Sequence, residues 1–312
     1  MLTINQLKKL VTLLRGGGVV AFPTETVYAL AGDARNLSAI KKIFELKNRP
    51  LHQPLSVLLP QHYDLEAWAH DVPAIAKRLV DYFWPGPLTL ILHKNKSILS
   101  ELIGGGNKIG LRVPDHLIAQ TILEAFSGGL AAPSANRSTR LSPTQADHVR
   151  QEFGDKLVSI IDGGACTIGI ESTIVDVTTP IPRIRRLGAI SQKELQKVID
   201  SEFIIDSPDP IPRVKIPLQQ IARDKLKRIT CEYLHQGKSV TVLARHTENL
   251  IHNNLIWITM PEEASHYARV LYQFLREAEQ NSMDAIFVES VPINEGWSGI
   301  RPLIGDYFRN RT

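Results

Sequence analysis

Four prolines fall within ten residues, at Pro208, Pro210, Pro212 and Pro217. Proline lacks an amide N–H and fixes φ, so neither a helix nor a central strand can run through such a stretch. The chain is therefore expected to fold as two bodies joined by an extended segment. We place a first domain at residues 1–203, a proline-rich linker at 204–218 and a second domain at 219–312. With 43% apolar and 22% charged residues, both bodies can build ordinary globular cores.

Charge is spread unevenly. Residues 1–200 hold 23 Lys and Arg against 18 Asp and Glu, whereas 201–312 hold 13 against 14. A mildly basic first half suits anionic ligands such as nucleotides or RNA, without the dense patch of a nucleic-acid-binding tail. The two cysteines, Cys166 and Cys231, are too few for a disulfide framework and point to a reducing compartment. The N-terminus has no signal pattern, and no run reaches the roughly 18 apolar residues of a membrane helix. A cytoplasmic protein that does not enter membranes is expected.

Short β-rich runs alternate with helical patterns along the first half, the signature of an α/β fold. Helices are expected at Asn5–Arg15 and Ser38–Leu46. Strands are expected at Val19–Phe22, Leu55–Leu59, Leu88–Leu92, Ile109–Val113, Leu157–Asp162, Ser172–Val177 and Arg183–Leu187. Ser142-Pro143-Thr144-Gln145 and Ser191-Gln192-Lys193-Glu194 both carry the logic of a capped helix start. After the linker, helices at Gln219–His235, Glu262–Gln280 and Gly299–Asn310 alternate with strands at Ser239–Ala244, Leu255–Ile258 and Ala285–Glu289. That pattern predicts a smaller three-layer α/β domain.

The densest chemical signal is Phe22-Pro23-Thr24-Glu25-Thr26-Val27-Tyr28, where a buried strand runs into a turn with two hydroxyls and a carboxylate. Ligand sites of α/β folds gather at strand ends, although such a turn is often only a connection. Lys47 and Arg49 follow a helix, and Pro50 pushes Arg49 towards an extended conformation. If both are extended they face one way and can clamp a phosphate or carboxylate; the alternative is plain pairing with the helix C-terminus. Ser134 and Asn136, in Ala132-Pro133-Ser134-Ala135-Asn136, offer hydroxyl and amide groups, and amides at a Ser142 helix start would add a phosphate-binding surface. Arg112 lies inside an apolar strand and needs an anionic partner. Arg186 could answer the same need or face water. Nothing resembles a metal-ligand cluster or a nucleophile–base pair.

Together with Lys47-Asn48-Arg49-Pro50, Trp84-Pro85-Gly86-Pro87, Leu111-Arg112-Val113-Pro114 and Glu171-Ser172-Thr173, these segments resemble the threonylcarbamoyl-AMP synthases, the YrdC/Sua5 family. The resemblance spans residues 16–195 and, more weakly, the second domain. It implies a twisted open α/β sheet with a large basic cavity, plus a Sua5-like C-terminal domain. It implies condensation of L-threonine, bicarbonate and ATP into threonylcarbamoyl-AMP and pyrophosphate, for threonylcarbamoyladenosine modification of tRNA by a downstream transferase. Mg2+ would accompany the ATP, with no metal site of the protein's own, and a weak tRNA contact is possible. By the same resemblance Thr26, Arg112, Ala132, Ser134 and Ser172 would hold threonine. Lys47, Arg49, Ser134 and Asn136 would surround the reacting groups. Arg49, Gln53, Ser134, Asn136, Ser142 and Arg186 would contact the nucleotide.

Ala29, Leu58 and Leu187 stand where the family usually has glycine, often histidine and usually proline, and the linker has no tyrosine. Two other functions fit the same sequence: a non-catalytic RNA- or ribosome-binding protein, and a carbamoyl-adenylate enzyme with another acceptor.

Overall fold

Apolar runs without polar alternation mark strands covered on both faces, and the first half folds that way. The computed structural model describes residues 2–157, 159–200, 202–206 and 214–305. It divides into two compact units, Met1–Ser138 with Ser142–Asp209, and Thr139–Leu141 with Pro210–Thr312. Residues 207–213, most of the proline-rich segment, lie outside the described residues.

In the first unit the strands are β1 (Val20–Phe22), β2 (Ala29–Asp33), β3 (Val57–Leu58), β4 (Ala69–His70), β5 (Leu88–Lys94), β6 (Lys108–Arg112), β7 (Leu130–Ala131), β8 (Thr173–Asp176), β9 (Arg183–Arg186) and β10 (Ile204–Ile205). They form one mixed sheet in the order β1-β2-β7-β3-β6-β5-β8-β9-β10, with β4 paired to β5. Helices α1 (Ile4–Arg15), α2 (Leu37–Lys47), α3 (Ala74–Phe83), α4 (Leu117–Phe126), α5 (Ala146–Phe153) and α6 (Gln192–Val198) complete the unit. Consecutive strand residues fall into different cores, as a period of two requires. Val19, Ala21, Val57 and Leu59 pack with Ile40, Ile43 and Leu79. Val20, Phe22, Leu58 and Leu130 pack with Leu10, Leu14, Ile122 and Phe126.

The second unit holds β11 (Leu218–Ile221), α7 (Arg223–His235), β12 (Val240–Ala244), β13 (Leu255–Thr259), α8 (Ala264–Gln280) and β14 (Ala285–Glu289). Its four strands are parallel, in the order β11-β14-β12-β13. Val240, Val242, Ala244 and Phe287 form its core with Leu226 and Leu234 of α7. At the strand ends Glu289, 1% exposed, accepts from Arg245 Nη2 and the Arg245 amide, both at 2.7 Å.

Three expectations need correction. The helix expected from Gln219 begins at Arg223, because Leu218–Ile221 pairs in parallel with β14 and buries Leu218 and Ile221. Short apolar runs are ambiguous between helix and strand, and here sheet pairing decides. The strand expected at Leu157–Asp162 is reduced to a bridge between Ile160 and Ala21, with Val158 outside the described residues. The terminal helix is a short 3-10 turn at Arg301–Ile304, and residues 306–312 lie outside the described residues. Among the described residues no helix is long and apolar enough to cross a membrane.

The Ser191 capping box is present as read from sequence. Ser191 Oγ accepts from the Glu194 amide at 3.3 Å, and Glu194 Oε2 accepts from the Ser191 amide at 2.8 Å. Ser191→Ala therefore costs about 1 kcal/mol, lowering the melting temperature of the first unit by about 2–4 °C in a thermal scan.

Candidate active site

One turn organises the ends of the first sheet. Between β1 and β2, the Thr24 hydroxyl accepts from the amides of Thr26 (3.2 Å) and Val27 (3.3 Å) and donates to the Val27 carbonyl at 2.7 Å. Distant loops hang on this turn by backbone bonds. Ile168 donates to the Glu25 carbonyl, Gly169 to that of Thr26, Ala135 to that of Tyr28, and the Tyr28 amide donates to Pro143. The buried Tyr28 hydroxyl donates to the Gly164 carbonyl at 2.8 Å and accepts from the Gly163 amide at 3.2 Å. Burial pushes that phenol up to about 12, so it stays protonated and keeps both bonds.

Arg112, the last residue of β6, is buried but not alone. Its Nε donates to the Gly86 carbonyl at 3.1 Å and Nη1 to the Thr26 hydroxyl at 3.0 Å. Nη2 lies 2.6 Å from Glu25 Oε1. The anion that a strand arginine demands is thus a residue of the turn itself. Glu25 went unassigned in the sequence, although a buried arginine and a carboxylate in a polar turn were both visible there. The charge of this carboxylate is also felt by His116 and the Cys166 thiol. His116 is pulled down by burial, against Glu25 and Asp115. Burial pushes the Cys166 thiol up to about 12.

Lys47 and Arg49 do not project side by side from an extended segment. Lys47 still belongs to α2, and Asn48 closes the helix in a left-handed conformation with φ 49°, so the two side chains diverge. Lys47 is 1% exposed, and its ammonium donates to the carbonyls of Ser134 and Asn136, each at 2.6 Å. Burial, then the nearby Arg49, hold that ammonium well below the usual lysine range. Arg49 braces its own loop, donating from Nε to the Gln53 carbonyl (3.2 Å) and from Nη2 to that of Pro54 (2.9 Å).

Ser142 does not start a helix. The Pro143 carbonyl accepts from Tyr28 and the Thr144 carbonyl from Cys166, so tertiary bonds hold the segment and α5 begins at Ala146. The Ser142 hydroxyl instead donates to Glu171 Oε1 at 2.7 Å. On the neighbouring loop Ser172 Oγ lies 2.8 Å from the Thr89 hydroxyl. Arg186 donates to the Ser172 carbonyl from Nε and Nη2 at 3.1 and 2.9 Å, and to Ser172 Oγ at 3.2 Å. Asn136 Nδ2 donates to the Arg137 carbonyl at 3.0 Å, and the Ala132 amide to the Ser56 carbonyl at 2.9 Å.

The structure therefore joins Thr26 to Arg112, Lys47 to Ser134 and Asn136, Ser172 to Arg186, and Arg49 to Gln53. Ser142 is tied to Glu171. Two surface cavities lie elsewhere, one of about 390 Å3 beside Lys42, Asn48 and Arg137, the other of about 500 Å3 beside Arg35, Tyr63 and Trp68. Converging polar chemistry, rather than cavity size, marks the candidate site.

The chain has counterparts among known proteins. A family model described as Telomere recombination matches residues 12–188, and one described as the threonylcarbamoyl-AMP synthase C-terminal domain matches residues 211–302. The chain belongs to the threonylcarbamoyl-AMP synthase family. It is 35% identical to the threonylcarbamoyl-AMP synthase of Pyrococcus abyssi, over 89% of this chain and 86% of that one. It is 33% identical to that of Bacillus subtilis, over 92% and 88%. The crystal structure of P. abyssi Sua5 complexed with L-threonine superimposes with a TM-score of 0.89 at 32% identity, covering 97% of this chain and 94% of that one.

The two thiols should differ in reactivity. Cys166 is buried and Cys231 half-exposed, and the thiolate is the reactive form. Under native conditions iodoacetamide should label Cys231 and spare Cys166, with both labelled in denaturant. Mass spectrometry reads the outcome, and equal native labelling contradicts the burial.

Proposed function

We propose that this chain condenses L-threonine, bicarbonate and ATP to threonylcarbamoyl-AMP and pyrophosphate, supplying a transferase that modifies tRNA. The observation that carries this reading is the buried Arg112–Thr26–Glu25 cluster at the sheet ends, in a chain that matches a threonine-bound relative over nearly all its length. Arg112 takes the amino-acid carboxylate, with Thr26, Ala132, Ser134 and Ser172 around it. The threonine amine and bicarbonate yield a carbamate and water. A carbamate oxygen then attacks the α-phosphorus of ATP, and pyrophosphate leaves. Such a displacement rests on positioning and charge neutralisation and needs no protein nucleophile.

Lys47 suits that task. An ammonium has three N–H groups; two are held by the Ser134 and Asn136 carbonyls, and the third is left for a phosphoryl oxygen. Arg49, Gln53, Asn136 and Arg186 line the nucleotide side, and Ser142 acts there through Glu171. The large basic cavity implied by the family resemblance belongs to this reading. Among the described residues no group of three His, Cys, Asp or Glu is placed to hold a metal. In this reading Mg2+ enters as the counter-ion of ATP, held by phosphates and water. We place the protein in the cytoplasm, in keeping with its two free cysteines, with at most weak contact to tRNA.

Pyrophosphate release from ATP and bicarbonate tests the reading. Release should require L-threonine. Release without it would indicate another acceptor, and no release with any combination would indicate a non-catalytic protein.

The buried ammonium adds a pH signature. Lys47 is held below its usual range in the free protein, and triphosphate oxygens nearby raise it again. ATP binding therefore takes up protons, and affinity falls as pH rises through the free-protein value. Calorimetry in buffers of different ionisation enthalpy should show this uptake for the wild type and lose it in Lys47→Met.

A further inference from the structure

We infer that Glu25 and Arg112 together form a zwitterion clamp, in which Arg112 takes the α-carboxylate of the amino acid and Glu25 its α-ammonium. This rests on the threonine reading of the site and names the group that would distinguish an amino acid from any other small carboxylate.

The first observation is an acceptor with spare capacity. Glu25 is 4% exposed, and neither carboxylate oxygen accepts a hydrogen bond among the described residues. Among the described residues its close cation is Arg112 Nη2 at 2.6 Å. That approach is short, but no N–H of Nη2 points along it, so it is an ion pair without a directed hydrogen bond. A buried carboxylate can accept several hydrogen bonds and is costly to leave without them. These oxygens and Arg112 Nη2 are closed off in the free protein, so a ligand that brings N–H donors satisfies the need by opening the pair.

The second observation is where the arginine is already committed. Nε is occupied by the Gly86 carbonyl and Nη1 by the Thr26 hydroxyl. Nη2 is the guanidinium nitrogen without a directed bond, and it is the one beside Glu25. In an α-amino acid the carboxylate and ammonium are attached to the same carbon. A carboxylate that engages Nη2 therefore brings its ammonium to the oxygens of Glu25.

Charge supports the same pairing. Arg112 and Glu25 sum to zero, and so does a zwitterion, so binding exchanges one ion pair for two crossed pairs and buries no net charge. A carboxylate without the ammonium would sit against Glu25 with like charges facing, and repulsion of this kind is how a site rejects a near-isostere. His116 and Cys166, which feel the charge of Glu25, supply no fixed positive charge to replace the ammonium. Burial keeps the imidazole below its usual range and the thiol protonated.

The test is calorimetric titration of the full chain with L-threonine and with 3-hydroxybutyrate, which lacks the ammonium. The wild type should prefer threonine by about a hundredfold or more. In Glu25→Gln, threonine should weaken about ten- to a hundredfold while 3-hydroxybutyrate binds as well or better, so the preference collapses. Unchanged threonine affinity in folded Glu25→Gln overturns the clamp. So does equal weakening of both ligands, which would mean that Glu25 only orients Arg112. Should Glu25→Gln fail to fold, Glu25→Asp keeps the charge but withdraws the oxygens. A reduced preference then supports the clamp, and an undiminished one overturns it. A wild type that binds neither compound removes the threonine reading itself, and the clamp with it.

Discussion

Burying a cation is costly unless the protein surrounds it with acceptors, and the first unit buries two, Lys47 and Arg112, at the ends of one sheet. Much of its loop structure is explained by that demand. The segment after β7 turns so that the carbonyls of Ser134 and Asn136 meet the Lys47 ammonium. The loop before β5 presents the Gly86 carbonyl to Arg112, and the β1–β2 turn presents Thr26 and Glu25. The two cations are compensated differently. Arg112 has a carboxylate, whereas Lys47 is held by neutral carbonyls, and its ordinary pKa is lost to burial. A polyanionic substrate would relieve the second situation more than the first.

What could be read in the sequence follows from how local each determinant is. The capping box at Ser191 is complete within four residues and forms as read. The apolar strands were visible because both sheet faces are covered. The start at Ser142 has the same local grammar, yet long-range bonds from Tyr28 and Cys166 claim its carbonyls, and no local pattern announces them. Leu218–Ile221 becomes a strand only because β14 is there to pair with it. Glu25 was hidden for a related reason: its partner Arg112 lies far along the chain, and only the fold brings the two charges together.

Ala29, Leu58 and Leu187 are also explained by packing. Leu58 is the register partner of Arg112 across β3 and β6 and packs with Leu130 and Ala132. An apolar side chain thus borders the arginine. Ala29 is bridged to Ser134 and belongs to the same apolar cluster, while Leu187 packs against the opposite one. In each case a hydrophobic side chain is absorbed by an existing core.

The strand order of the first unit also bears on how the chain reaches its native state. β7 must insert between β2 and β3, β8 must find β5, and the edge closes only when Ile204–Ile205 meets Arg183–Ile184. Pairings so distant along the chain raise contact order and slow folding. Emerging from the ribosome, β1 to β6 have two apolar faces and unfilled gaps in the sheet until most of the unit has been made. Such a nascent chain is exposed to misassembly and is a natural client for chaperones. The four parallel strands of the second unit are gathered within Leu218–Glu289, so its assembly spans a shorter stretch of chain.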